Sequence, residues 1–326
     1  MNVVHLSNMP VAGSPYFLSE AMNKYLKVNS RCIQECNGYG DGRVFPHDLL
    51  YGDQGAIDYI KDADVVFVHN SVKPLVYQLL EGKRVVLLCH SEPSRVSSKV
   101  ADMADDIAVV AQYQPRLYDD TEFALFPNII DIYDKRFLPA RKGEYLTVGF
   151  SPSNTNKWPE GYKWNNKGHE ETLKVLQESG VRYALYTRQP FESVIKERAQ
   201  CHIVIDELVT GSYHRVTLEA ASHEQMVLNA VDKMTYRVIC EITGCGTLPS
   251  FVTDLEGLRS VLGDLKSGAR TGEWVESEGI RARTWMQNHW DPKTLLERFF
   301  VPLMTGKNVK KYKHKQLFAG LCKGPL

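Results

Sequence analysis

Residues 201–230 read CHIVIDELVTGSYHRVTLEAASHEQMVLNA and gather the side chains best suited to a charged ligand. An apolar strand, 202–205, runs into two acids, Asp206 and Glu207. A loop with Gly211, Ser212 and Tyr213 follows, and a helix over 214–223 begins at His214 and carries Glu219 in its second turn. The first turn of a helix leaves backbone N–H groups without partners and carries the positive end of the helix dipole, so it suits phosphate. A carboxylate nearby can accept from both hydroxyls of a ribose. Gly211, Ser212, Tyr213 and His214 are therefore candidate contacts for a nucleoside diphosphate, and Glu219 for its ribose. Taken alone, a strand, loop and helix of this kind is more often an ordinary helix with an exposed Glu.

Other polar groups stand at the ends of apolar runs. His69-Asn70 closes DVVFVH (64–69), and His90-Ser91-Glu92 closes RVVLLC (84–89). In parallel α/β sheets such strand ends are where ligands bind. Gly13 and Ser14, in the loop NMPVAGSP before the first helix, either approach a phosphate or a transferred sugar or form a plain turn. Ser153 and Lys157 follow the run LTVGF, and Lys167-Gly168 opens a helix. Lys163 reads as a solvated loop charge. Asp62-Ala63-Asp64 spells the metal-binding DxD, but it precedes its strand instead of following one. No G-x-G-x-x-G sits at a strand–helix turn, and neither G-x-S-x-G nor H-E-x-x-H occurs.

The elements that must position these residues alternate. Strands are expected over 2–7, 31–36, 64–69, 84–89, 107–111 and 123–126, with helices from Leu18, over 56–61 and over 75–80. A Pro-marked, charged stretch, 127–143, reads as a linker. Alternation resumes with strands 146–150, 183–187, 202–205 and 226–230 and helices 170–178, 191–198 and 214–223. Continuously apolar strands suit a parallel sheet covered on both faces. The expected fold is α/β: two Rossmann-like doubly wound domains, 1–135 and 136–300, facing a cleft, followed by a basic segment, 301–326.

Composition fits a folded protein, with 43% hydrophobic and 24% charged residues. The 39 basic and 39 acidic side chains balance, which argues against a protein that coats nucleic acid. Their distribution is uneven. Residues 1–135 hold 12 basic and 18 acidic side chains, and six Lys with no acid follow residue 300. Seven Cys, mostly in apolar surroundings, the lack of a signal-peptide pattern and the lack of a long apolar run give the expectation of a reduced, cytoplasmic protein. Neither Cys32/Cys36 nor Cys240/Cys245 has the usual zinc spacing.

The order of motifs over 146–300 resembles GT-B glycosyltransferases, in particular the retaining family 4. The carriers are LTVGFSPS, the Lys167-Gly168 helix start, and the DEL loop followed by Gly211, Tyr213, Glu219 and Ala220. GCGTLPSFVTDLEGLRSVLGDL and the Arg–Trp helix RARTWMQNHWDP follow in order. The resemblance implies transfer of a sugar from a UDP- or GDP-sugar to an acceptor hydroxyl, with retention and without an essential metal or other cofactor. It assigns Glu219 to the ribose, Lys167 to the donor diphosphate, and His90, before His69, to the donor sugar. The back domain would take the donor and the front domain the acceptor, a glycan or lipid-linked saccharide, with peripheral membrane contact open. Three alternatives stand: a phage-type enzyme acting on hydroxymethylated pyrimidines in DNA, a non-catalytic nucleotide-sugar-binding protein, and, more distantly, a sugar epimerase. One departure is plain. Family 4 carries a second Glu eight positions before the one matching Glu219, and here that position is Gly211.

Overall fold

The computed structural model describes residues 1–152 and 168–321. Its strands are β1 (Asn2–Ser7), β2 (Asn29–Gln34), β3 (Leu49–Leu50), β4 (Val65–His69), β5 (Arg84–Cys89), β6 (Asp106–Val110), β7 (Phe123–Phe126), β8 (Val148–Phe150), β9 (Tyr183–Leu185), β10 (Ile203–Ile205), β11 (Met226–Asn229), β12 (Phe251–Val252) and β13 (Lys311–Tyr312). They divide between two compact units. One combines Met1–Asp131 with Asp291–Gly320, and the other is built on Ile132–Trp290.

The first unit holds one sheet in the order β13-β7-β6-β5-β4-β1-β2-β3. All its pairs are parallel except β13 with β7. From β1 the chain steps outward through β2 and β3, then crosses back to β4 on the other side. Strand order therefore reverses between β1 and β4, and the crevice at their carboxyl ends is the natural ligand position. Every residue of β4 is buried, as its unbroken apolar sequence requires of a strand covered on both faces. The helix Ser14–Leu26 starts from Gly13 in the left-handed region with Pro15 in its first turn, and it buries Phe17, Leu18, Ala21 and Met22.

The second unit holds a parallel sheet, β12-β11-β10-β8-β9, whose order reverses between β8 and β10. Its core joins Val148, Phe150, Ile203, Ile205 and Leu228 to Leu258 and Leu262 of the helix Leu255–Ser267. Both units are thus Rossmann-like α/β domains, as the sequence led one to expect.

The unit boundary falls within the expected linker, but two assignments shift. Residues 291–300 belong to the first unit, not the second. Asp291 caps a new helix by accepting from Thr294 N, and Phe300 then packs edge-on against Phe67 and Phe126 of the first sheet. The basic tail is no separate segment either. It returns as β13 on the β7 edge, where Lys311 pairs with buried Asp106 and Tyr312 is buried. Among the described residues no helix is long and apolar enough to cross a membrane.

Candidate functional site

The switch point of the second unit lies where β8 runs into Ser151 and β10 into Asp206. Both acids at the end of β10 are fully buried, and both turn back to hold the following loop. Glu207 accepts from the backbone N–H groups of Val209, Thr210 and Ser212. Burial nevertheless raises its pKa, opposed by those bonds and by His214. Asp206 accepts from His214 N at 2.5 Å and from Thr217 Oγ1 at 2.8 Å, which seats the helix Arg215–Ser222 with His214 as its N-cap. The DEL loop is therefore a rigid carboxylate-braced turn. Neither acid replaces the absent first Glu.

Glu219 is 4% exposed. Its Oε2 accepts from Arg198 Nη2 at 2.5 Å, and its Oε1 lies 3.4 Å from Arg215 Nε. Arg198, at the end of the helix Phe191–Arg198, also donates to Ser151 Oγ at 3.2 Å. One buried cluster thus ties β8 and two helices together. Burial lowers the Arg215 pKa; Glu219 attracts its charge, while Arg198 and Arg136 repel it. Two guanidiniums thus share the single carboxylate of Glu219, one charge more than it neutralises, while Asp206 caps the start of the helix.

Gly211 occupies the position of the missing Glu for a geometric reason. Its φ is +77°, and a Cβ there would stand 2.8 Å from Asp232 Oδ2. Asp232 N donates to Gly211 O at 3.0 Å, while Asp232 Oδ1 caps the next helix through Thr235 N at 2.8 Å. The carboxylate at this spot comes from residue 232.

The first unit has a different switch point. Val11, Ala12 and Gly13 all have positive φ, at 47°, 53° and 77°, so the loop after β1 is one left-handed turn. Such a conformation is strained for Val11. Ser14 Oγ donates to Asn128 Oδ1, and Asn8 N donates to Ser71 O, joining the loop after β1 to the loop after β4. His69 is buried, between His5 and His90. Asn70, with φ 62°, accepts from His90 N through Oδ1 and donates to Ser91 Oγ through Nδ2.

The sequence-read candidates therefore separate. Gly211, His214 and Glu219 meet at the second switch point. Ser212 and Tyr213 share their loop, but their side chains serve the fold: Ser212 Oγ donates to Tyr213 O, and the Tyr213 ring packs edge-on against Trp290. Gly13, Ser14, His69, Asn70 and His90 lie at the carboxyl edge of the first sheet. His69 and Asn70 both hold His90. Lys167, Ser153 and Lys157 lie outside the described residues. The sequence reading missed Arg198, Arg215, Ser151 and His5. Two of them had visible signals: Ser151 ends an apolar strand, and Arg215 opens the helix already singled out.

No protein-family model matches the chain, and no curated protein does. Solved structures do. HepE from Anabaena, in complex with UDP, is 11% identical, with 94% of this chain and 100% of that one covered at a TM-score of 0.56. Sucrose-phosphate synthase from Thermosynechococcus elongatus is 11% identical, with 94% and 100% covered at 0.54. A DNA-modifying β-glucosyltransferase is 13% identical, with 94% and 100% covered at 0.53. Two Rossmann-like units, each with a switch point at the carboxyl ends of its strands, define the class. The particular architecture is the GT-B fold.

Proposed function

We propose that the protein is a glycosyltransferase that uses a nucleotide sugar. The observation that carries this reading is the second switch point, where Arg198 and Arg215 converge on Glu219 of the helix Arg215–Ser222 beside Ser151 at the end of β8. A diphosphate is the ligand this charge suits. Oε1 of Glu219 makes only a long contact to Arg215, and a ribose hydroxyl can take its place while Arg198 keeps Oε2. The bond from the anomeric carbon to the diphosphate oxygen breaks with its electron pair leaving on the diphosphate. The acceptor hydroxyl oxygen bonds to that carbon, and its proton passes to the departing diphosphate oxygen. In this reading Lys167 and the guanidiniums neutralise the leaving group in the place of a metal, and retention of the anomeric configuration rests on the resemblance to family 4 alone. The acceptor is a glycan or a lipid-linked saccharide.

UDP is the first probe, because HepE was solved with it. UDP at about 100 times its Kd should stabilise the chain by about 2.7 kcal/mol in a thermal shift, and GDP is the control for the base. Release of nucleoside diphosphate from a matching donor should survive excess chelator. No shift with any nucleoside diphosphate would refute the reading, and binding without turnover would leave a nucleotide-sugar-binding protein. A second acceptor reading, a hydroxymethylated base in DNA, is favoured by Lys307, Lys310, Lys313 and Lys315, all exposed on the tail of the first unit.

A further inference from the structure

Three imidazoles form a line across the first sheet. His5 lies on β1, His69 ends β4 and His90 follows β5. His5 Nδ1 is 3.1 Å from His69 Nε2, and His69 Nδ1 is 2.8 Å from His90 Nε2. The His5 ring stacks on Phe67 at 5.1 Å, and the His69 and His90 rings meet edge to edge, nearly parallel, with centroids 5.0 Å apart. His5 is 0% and His69 1% exposed, whereas His90 is half-buried. The His90 backbone is clamped as well: its N–H donates to Asn70 Oδ1 and its carbonyl accepts from Gln114 Nε2.

Each nitrogen–nitrogen contact needs one proton. Burial lowers His5 to about 3 and holds His69 well below the ordinary imidazole value, so both rings are neutral near neutral pH. A neutral His69 has one N–H, and the two contacts must then run in the same direction. Running inward, they place an N–H on His5 Nε2, which is buried without a partner. Running outward, they leave only a lone pair there. An orphaned buried N–H is the rarer and costlier arrangement, so the outward direction wins. His90 then accepts at Nε2 and carries its proton on Nδ1.

We propose that His69, supported by His5, is a positioning residue that fixes His90 as its neutral Nδ1–H tautomer, a hydrogen-bond donor at the carboxyl edge of the first sheet. Its use toward an oxygen of the transferred sugar or of the acceptor rests on the transferase reading above. Protonating His90 would place a second N–H against His69 Nδ1–H, and the line would have to invert onto His5 Nε2. His90 therefore resists protonation. Among the described residues, the titratable groups on the segments packed around it include Glu92, paired with Arg95, and Arg116, with Cys89, Tyr113 and Tyr118 kept neutral by burial.

The test is long-range nitrogen–proton NMR on the full chain with labelled histidines, with His90→Gln assigning the signals. Wild type should show His90 as Nδ1–H with no titration between about pH 5 and 8. In His69→Leu both tautomers should appear and His90 should titrate near the ordinary value of about 6.5. In His5→Phe, which keeps the stack on Phe67, an N–H on His69 Nε2 would face an apolar ring, so the single Nδ1–H tautomer should persist. His69→Gln, whose amide can donate to Nε2, should restore the single tautomer. A merely structural role would lower stability and leave the tautomer alone. Wild-type His90 found as Nε2–H, or titrating near 6.5, overturns the proposal. In turnover, His69→Leu should raise the pH of the acidic limb of kcat with donor KM within about twofold. UDP calorimetry separates the two readings: if UDP fails to bind, the transferase reading falls while the tautomer result still decides this one.

Discussion

The two switch points solve the same topological problem with opposite chemistry. At β8 and β10 the buried side chains are charged and paired, with Glu219 between Arg198 and Arg215 and Asp206 on the start of a helix. At β1 and β4 they are neutral rings, His5 and His69, in a line toward His90. A buried ion pair is already oriented for an anionic ligand, but its halves cannot be separated cheaply. A chain of neutral imidazoles fixes a donor without building a field, but acid threatens it. On the proposed transferase reading, the second unit would hold the diphosphate and the first would touch an uncharged hydroxyl-bearing group.

The sharpest way to break this comparison is to remove Glu219. Glu219→Ala leaves two buried guanidiniums without their carboxylate and should destabilise the second unit by about 3–5 kcal/mol. All five Trp lie between residues 132 and 290, so Trp fluorescence in urea follows this unit. The double change Arg198→Met with Glu219→Leu should recover part of the loss, because Arg215 still lacks its carboxylate. In the folded fraction, UDP binding by Glu219→Ala should weaken by about 1.5–3 kcal/mol. A stability loss below about 1 kcal/mol would mean that the charge is not held as described.

Gly211→Ala probes the same switch point through its backbone. The new Cβ meets Asp232 at 2.8 Å, and φ +77° is strained for Ala. A loss of about 1–3 kcal/mol is expected. Asp232→Ala, which clears the space but removes the helix cap, should cost about 1 kcal/mol. If Gly211→Ala is neutral in urea melts, the loop is not pinned to Asp232.

Acid tests the neutral side. The folded pKa of His5 is lowered to about 3, so from about pH 6.5 downward the unfolded chain takes a proton that the folded chain refuses. Stability from this group is complete above about 6.5. It falls by about 1.4 kcal/mol per pH unit as pH drops, until the folded value is reached. His69 has the same sign. In the second unit His223, lowered to about 4 by burial, does likewise. The two fully buried rings of the first unit refuse protons more strongly than His223 and the part-buried His202, so native NMR signals of the first unit should be lost before Trp fluorescence changes between pH 6 and 4. His5→Phe should remove about 1.4 kcal/mol per pH unit from the slope. A single transition seen by both probes would erase the difference.

Much of this was legible where the chain speaks locally. VVFVH and RVVLLC announce parallel strands because a buried strand needs apolar residues on both faces. β3, β12 and β13, two residues each, contain no period to read. β13 also hides inside a lysine run whose charges suggest solvent. Glu219 looked exposed because its partner, Arg198, is 21 positions away on another helix. His5 sits inside an otherwise apolar strand, and its meaning depends on His69, 64 residues later. The absent Glu looked like a loss because the sequence cannot show that Asp232 fills the space next to Gly211.

The smallest expected effect concerns the basic tail of the first unit. Lys311 bonds Asp106 at 2.9 Å, and Arg84 binds the same buried carboxylate. Lys311 is therefore a strand anchor, while Lys307, Lys310, Lys313 and Lys315 are exposed. Changing those four to Gln should alter stability by less than about 0.5 kcal/mol, the scale of surface substitutions. Lys311→Gln leaves Arg84 on Asp106 and should cost no more than about 1 kcal/mol. The informative readout is binding to duplex DNA and to anionic vesicles at two salt concentrations. A tail that neutralises several phosphates releases counterions, so its affinity falls steeply with salt. An anionic membrane would attract it by about 1 kcal/mol per Lys close to the surface. For a glycan or lipid-linked acceptor, the wild type should show no salt-steep binding to duplex DNA, and the four-Gln variant should turn over a soluble acceptor at the wild-type rate. If instead the wild type binds duplex DNA with a steep salt slope and the variant does not, the acceptor is a base in DNA. The first unit's neutral imidazoles would then work beside a polyanion, and the division between a charged and an uncharged switch point would no longer follow the ligands.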